Sequence, residues 1–196
     1  KYIWGVLMAY FQQFYNSVSY PIDATDYPGL RISQLGAIHA ICAHFTVRST
    51  PAVVVLPTGS GKTAVLMVAP YVLRANRVLI ITQSRFVRSQ IATDFKLLRT
   101  LKHIHVLPEN QVCPNVFENK TPIHSKDEWE SLRQFDVVIS IPNSASPAYH
   151  RIPSPPTDLF DLVLIDEAHH SPAPTWNAVI DAFPGSRCVL FTATPF

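Results

Sequence analysis

"VVVLPTGSGKTAVLMVAP", Val53 to Pro70, decides the fold. Three valines and a leucine suit a strand, the Pro-Thr-Gly-Ser-Gly run suits a turn, and the apolar residues from Ala64 onward suit a buried helix. Gly59 and Gly61 let successive backbone N–H groups curl around an anion, and the helix that follows aims its positive N-terminal end at the same point. Lys62 can reach the β and γ phosphates of a nucleotide, and the Thr63 hydroxyl can hold magnesium. Pro57, Thr58, Gly59, Ser60, Gly61, Lys62 and Thr63 are therefore the candidate phosphate loop, although Leu56 stands where such a loop usually has its first glycine.

A phosphate cradle lacks an acid to bind the metal or to activate water. "FDLVLIDEAHHSP", Phe160 to Pro172, supplies two at the end of an apolar run. Asp166 is placed to hold magnesium, and Glu167 to orient or deprotonate the attacking water. An acid/base pair and a zinc site are the other chemistries such a cluster allows. The zinc site fits poorly. It needs histidines one helical turn apart, whereas His169 and His170 are adjacent and point to different faces.

Around these two stretches, short continuous apolar runs alternate with helical patterns. "AVVVL", "RVLIIT", "HIHVL", "DVVIS", "LVLID" and "RCVLFT" read as strands covered on both faces. Between them, Phe86 or Val87, Ile91, Phe95 and Leu98 recur at helical spacing, as do Leu35, Ile38, Cys42 and Phe45 upstream. The expectation is an α/β fold, a parallel sheet with helices on both faces. Pro108 to Lys126 and "PNSASPAYHRIPSPPTD" are expected to be surface connections rather than domain boundaries, and no internal repeat is visible.

Composition agrees with a packed domain: hydrophobic residues make up 47% of the 196 and charged residues 15%, which excludes a disordered chain. A net charge of +2 permits a nucleic-acid partner without arguing for one. Cys42, Cys113 and Cys188 are odd in number and far apart, which fits buried thiols in a reducing, cytoplasmic setting. "YIWGVLMAYFQQFY" is interrupted by glutamines short of the ~20 apolar residues of a membrane span, so a packed helix and no membrane partner are expected. A chain starting at Lys1 is expected to be a piece of a longer protein, with neither signal peptide nor anchor in view.

"LPTGSGKT", "DEAH" and "TAT", in that order, resemble motifs I, II and III of superfamily 2 helicases and translocases. The resemblance implies the first RecA-like domain of a P-loop NTPase over residues 30–196, with residues 1–29 as an N-terminal flank. It implies ATP and Mg2+ as ligands, DNA rather than RNA as partner, and a second RecA-like domain beyond Phe196 that supplies an arginine finger. "LRISQ" resembles the adenine-recognition element of the restriction-enzyme-like and repair-helicase branches, which implies Arg31 against the adenine face and Gln34 on its edge. "ITQSRFVRSQ" resembles motif Ia, implying phosphate contacts from Ser84 and Arg85. "VVISIPNSAS" resembles the Ib region, implying the same for Asn143 and Ser144. His169 is implied to link toward Thr192 or Thr194, coupling nucleotide to nucleic acid, while His170 is expected to be structural or solvent-facing. The alternatives in view are the motor of a restriction-enzyme subunit and a nucleotide-gated binding module that has lost turnover.

Overall fold

The computed structural model describes residues 2–3, 6–149, 151–167 and 173–194. Two short antiparallel strands, β1 (Tyr2–Ile3) and β2 (Val6–Leu7), come first, then α1 (Tyr10–Gln13) and a single 3-10 turn. The expected N-terminal helix is thus reduced to one turn of α-helix. The chain continues with α2 (Ile32–Val47), β3 (Ala52–Val55), α3 (Lys62–Val72), β4 (Val78–Ile81), α4 (Arg85–Leu97) and α5 (Arg99–His103). β5 (Val116–Glu118), α6 (Lys126–Ser131), β6 (Val137–Ser140), α7 (Pro142–Ala145), β7 (Leu162–Ile165), α8 (Ala173–Ala182) and β8 (Arg187–Thr192) complete it.

Six strands form one sheet in the order β3-β8-β7-β4-β6-β5, and every pairing is parallel. Period-two alternation sorts its side chains. Val78 and Ile80 of β4, Leu162 and Leu164 of β7, and Val189 and Phe191 of β8 enter one core with α2, α3 and α4. Leu79 and Ile81, Val163 and Ile165, and Cys188 and Leu190 enter a second core with Trp129 of α6 and Val179 of α8. Two cores, one per face, are why these strands read as unbroken apolar runs.

Residues ahead of the matched motifs share the first core. Phe11 is fully buried, edge-on to Tyr71 of α3 at 4.9 Å, and the Tyr10 hydroxyl lies 3.0 Å from that of Tyr71. Ser19 donates its backbone N–H to Val106 O at 2.8 Å, tying the flank to the far side of α5.

Several expectations need correction. β3 is not covered on both faces, Val53 being 50% and Val55 45% exposed, and of the three thiols expected to be buried Cys42 and Cys113 are half-buried. "HIHVL" is not a strand: α5 ends within it, His105 has φ 55°, and the N–H groups of Val106 and Leu107 both fold back to Leu101 O. Its apolar residues are buried by capping a helix, which a run of five letters cannot distinguish from pairing in a sheet. The sixth strand is β5, three half-buried residues inside the segment expected to be a loop, pairing among the described residues with β6 alone, at the sheet edge. The helical faces also shift. Gln34, Ile38 and Ile41 are the buried residues of α2, and on α4 Val87 packs on the core while Phe86 is 78% exposed.

Candidate nucleotide site

Parallel strands end at a common edge, so the loops after β3, β4, β6, β7 and β8 gather there. The loop after β3 turns at Ser60, whose N–H reaches Pro57 O at 3.1 Å, and passes through left-handed backbone at Gly59 (φ 80°) and Gly61 (φ 82°). Gly61 is the N-cap of α3, so Lys62 opens the helix and Thr63 follows it. A second constraint acts on Gly61: a Cβ there would lie 2.1 Å from Gln34 Nε2.

That closeness is a hydrogen bond. Gln34 Nε2 donates to Gly61 O at 3.0 Å, while its Oε1 accepts from Arg31 N at 2.7 Å. Arg31 itself donates through Nη1 to Gly59 O. Both residues of "LRISQ" assigned to adenine therefore sit beside the phosphate loop and fix two of its carbonyls. Gln34 is 5% exposed, yet one N–H of its amide and one lone pair of Oε1 remain for a further partner.

From the other side, β7 ends at Ile165 and its ladder continues one residue, with Asp166 N donating to Ile81 O at 2.8 Å. Glu167 then takes φ 55°, and its carbonyl accepts from Gln83 Nε2 at 3.0 Å. Left-handed backbone at a glutamate is uncommon. Here it brings the carboxyl to Lys62, whose Nζ donates to Glu167 Oε1 and lies 3.6 Å from Asp166 Oδ1. Burial raises the Asp166 carboxyl above its ordinary pKa, the Lys62 ammonium opposes the shift, and the Glu167 charge adds to it.

Ser60 Oγ and Asp166 Oδ1 are buried without a hydrogen-bond partner. A buried, unpartnered carboxylate oxygen is the kind of donor a hard cation takes, so Asp166 fits Mg2+ and would hold it together with the half-buried Thr63 in the first turn of α3. Among the described residues no cluster of three or more His, Cys, Asp or Glu could hold a metal by itself.

The remaining assigned residues line the same edge less uniformly. Ser84 caps α4, its Oγ accepting from Val87 N at 3.1 Å, and Arg85 is exposed beside it. Asn143 is exposed, but Ser144 is 3% exposed, so only the first presents its side chain to solvent. Thr192 is buried, with Oγ1 donating to Thr194 O at 2.7 Å and accepting from Thr194 N at 3.3 Å, so the two threonines of "TAT" brace each other. His169 and His170 lie outside the described residues.

Gln83 is a site residue that the sequence did not single out. Its position after a strand ending in Thr82 was visible, but its partner, a backbone carbonyl 84 residues away, was not. A cleft of about 740 Å³ opens at the opposite edge, between Arg77, Arg133, Asp136, Asp158 and Asp161. Its charges answer one another: Arg133 pairs with Asp158 at 2.8 Å, and Asp161 accepts the N–H groups of Asn76 and Arg77.

The sequence profile described as "Type III restriction enzyme, res subunit" matches residues 28–196. No curated protein sequence matches the chain significantly. Among solved structures, the UvsW helicase from bacteriophage T4 superposes with a TM-score of 0.57 at 16% identity, covering 94% of this chain and 59% of that one. A second T4 UvsW structure gives 0.57 at 15%, covering 94% of this chain and 34% of that one. The Hef helicase domain of Pyrococcus furiosus gives 0.56 at 21%, covering 85% and 33%. The chain thus spans between one third and three fifths of the length of these structures, and shares their fold.

Proposed function

Because the chain belongs to the type III restriction enzyme res-subunit family, we propose that it is the ATP-binding first RecA-like domain of a nucleic-acid-dependent motor, one that couples ATP hydrolysis to translocation or strand separation. The observation that carries the reading is the meeting of Lys62 with Asp166 and Glu167, from two loops at the same edge of the sheet. In this reading the backbone of Gly59 to Lys62 cradles the phosphates, and Lys62 neutralises them. Glu167 orients or deprotonates the water that attacks the γ-phosphate. Thr63 and Asp166 would hold Mg2+, which would supply charge neutralisation when bound. Arg31 and Gln34 receive the adenine.

DNA is the polymer proposed, since the matched family is described as a restriction-enzyme subunit. The same description favours one narrower version, the motor of a restriction enzyme. No helix among the described residues is long and apolar enough to cross a membrane.

The experiment is ATP hydrolysis by the complete protein containing this chain, with and without single-stranded DNA, duplex DNA and RNA. Hydrolysis stimulated by DNA is expected. Hydrolysis indifferent to any nucleic acid would overturn the motor reading, and stimulation by RNA alone would move the substrate.

A further inference from the structure

β4 and β6 are neighbours, paired from Val78↔Val137 to Ile81↔Ser140, so the segments that follow them, Ser84–Arg85 and Pro142–Asn143, emerge side by side. Beneath them runs a polar network that neither core requires. Arg88 of α4 is 4% exposed and donates through Nε to Glu118 Oε1 at 3.0 Å and through Nη1 to Asn119 O at 3.2 Å. Ser89 donates to the same carboxylate oxygen at 2.6 Å, and Lys120 lies 3.4 Å from the other. Asn119, 3% exposed, carries the connection onward: its Nδ2 donates to Ser140 Oγ at 3.0 Å and to Ser144 O at 3.4 Å. An unbroken chain of buried bonds thus joins α4 to α7 through the end of edge strand β5.

A buried ion pair is a poor source of stability, because apolar residues of equal volume commonly do as well. What it does enforce is geometry, since each partner must stay in place or leave a buried charge or amide unsatisfied. The two elements fixed here are the ones that carry Arg85 and Asn143 at the surface. A polyanion held at two points gains most when both points are already in position, since neither then has to be ordered on binding.

We propose that Arg88, Glu118 and Asn119 are positioning residues that set the spacing between Arg85 and Asn143, so that one sugar–phosphate backbone is gripped at two points at once. The inference rests on the reading of this edge as a nucleic-acid surface and adds how the grip is built. None of the three touches the strand; they act through the two that do.

The test measures binding of a single-stranded DNA oligonucleotide of about 12 nucleotides by the 196-residue chain, as anisotropy across a salt series. Arg88→Lys keeps the charge and removes the fork that reaches Glu118 and Asn119 together, and Glu118→Gln keeps the shape. Either is expected to weaken binding on the order of 10-fold while leaving ATP affinity and the far-UV spectrum unchanged. The deciding measurement is a cycle with Asn143→Ala. If Arg88 acts by spacing, Arg88→Lys has no further effect once Asn143 is gone. Additive losses, or no loss in either variant, would overturn the inference while leaving the surface assignment standing. Wild-type chain that fails to bind, or binding indifferent to Arg85→Ala and Asn143→Ala, would instead overturn the surface assignment itself.

Discussion

Lys62 and Glu167 lie 105 residues apart and meet through a hydrogen bond from Nζ to Oε1. With Asp166 Oδ1 3.6 Å from the same ammonium, one cation is shared by two half-buried acids. In the proposed reading the phosphates of a nucleotide would compete for that ammonium, and Asp166 would turn to the accompanying divalent cation. Binding at this edge would then be an exchange of partners within a fixed set of charges.

Lys62→Ala removes the only side-chain cation of the loop. Calorimetry with Mg2+ and ATP or ADP is expected to show nucleotide binding lost, with circular dichroism unchanged because α3 is held by eight buried residues beyond Lys62. Unchanged affinity would place the nucleotide elsewhere.

Glu167→Gln keeps the shape and removes the charge. Nucleotide affinity is expected to hold or rise, since Lys62 loses a competitor for phosphate. In the complete protein, turnover is expected to fall by about 10² to 10⁴ as water activation is lost. Loss of binding would assign Glu167 a structural role, and near-normal turnover would assign the base to another group.

Gly61→Ala meets two obstacles, backbone at φ 82° and a Cβ 2.1 Å from Gln34 Nε2. The left-handed conformation alone costs about 1–2 kcal/mol for a residue with a Cβ. Gln34→Ala removes the steric obstacle and leaves the conformational one. Urea unfolding of the two single variants and the double variant is expected to show a combined loss smaller than the sum. Strict additivity would mean that Gln34 does not press on the loop.

Phe11→Ala is expected to destabilise the chain by about 3–5 kcal/mol in urea unfolding, the range for emptying a buried phenylalanine site. The size matters because Phe11 precedes residue 28, where the family match begins, yet packs against Tyr71 directly behind the phosphate loop's helix. A loss below about 1 kcal/mol would make the N-terminal segment an accessory.

Glu118 sets a pH dependence. Burial pushes its carboxyl up, but hydrogen bonds from Ser89 and Arg88 and the charges of Lys120 and Arg88 bring it below its ordinary value of 4.5. A carboxyl lowered in the folded state stabilises the fold above its unfolded pKa and loses that contribution as pH falls through the folded value. The stability difference between wild type and Glu118→Gln is therefore expected to be constant near neutral pH and to close below 4.5. A difference that persists under strong acid would show that the carboxylate's charge is not what Arg88 responds to.

Chemistry written in adjacent letters was legible in the sequence. Pro57 to Thr63 and Asp166–Glu167 stand out because the proposed phosphate cradle and metal site need particular residue types at particular spacings, and β4, β6, β7 and β8 could be located because a strand buried on both faces has no room for polar residues. What stayed hidden depends on partners chosen in space. Glu118 ends a three-residue edge strand with half-buried sides, which leaves almost no periodic trace, and Arg88 looks like a solvated helix position until Glu118, 30 residues away, is beside it. Phe86 and Val87 were equally good candidates for one turn of helix, and only the docking of α4 on the sheet turns Val87 inward.

β3 carries the phosphate loop at an edge of the sheet, and its strand neighbour among the described residues is β8, in register from Ala52↔Val189 to Val55↔Thr192. During synthesis from the N-terminus, β3 leaves the ribosome early and β8 far later, while β4, β5, β6 and β7 can already pair with one another. In that order of emergence the candidate phosphate loop would be anchored last, by the longest-range strand pairing among the described residues, the one with the largest loop-closure entropy. Until it forms, the valines of β3 lack their strand partner, which makes the nascent chain most prone to misassociate just before it becomes able to bind its ligand.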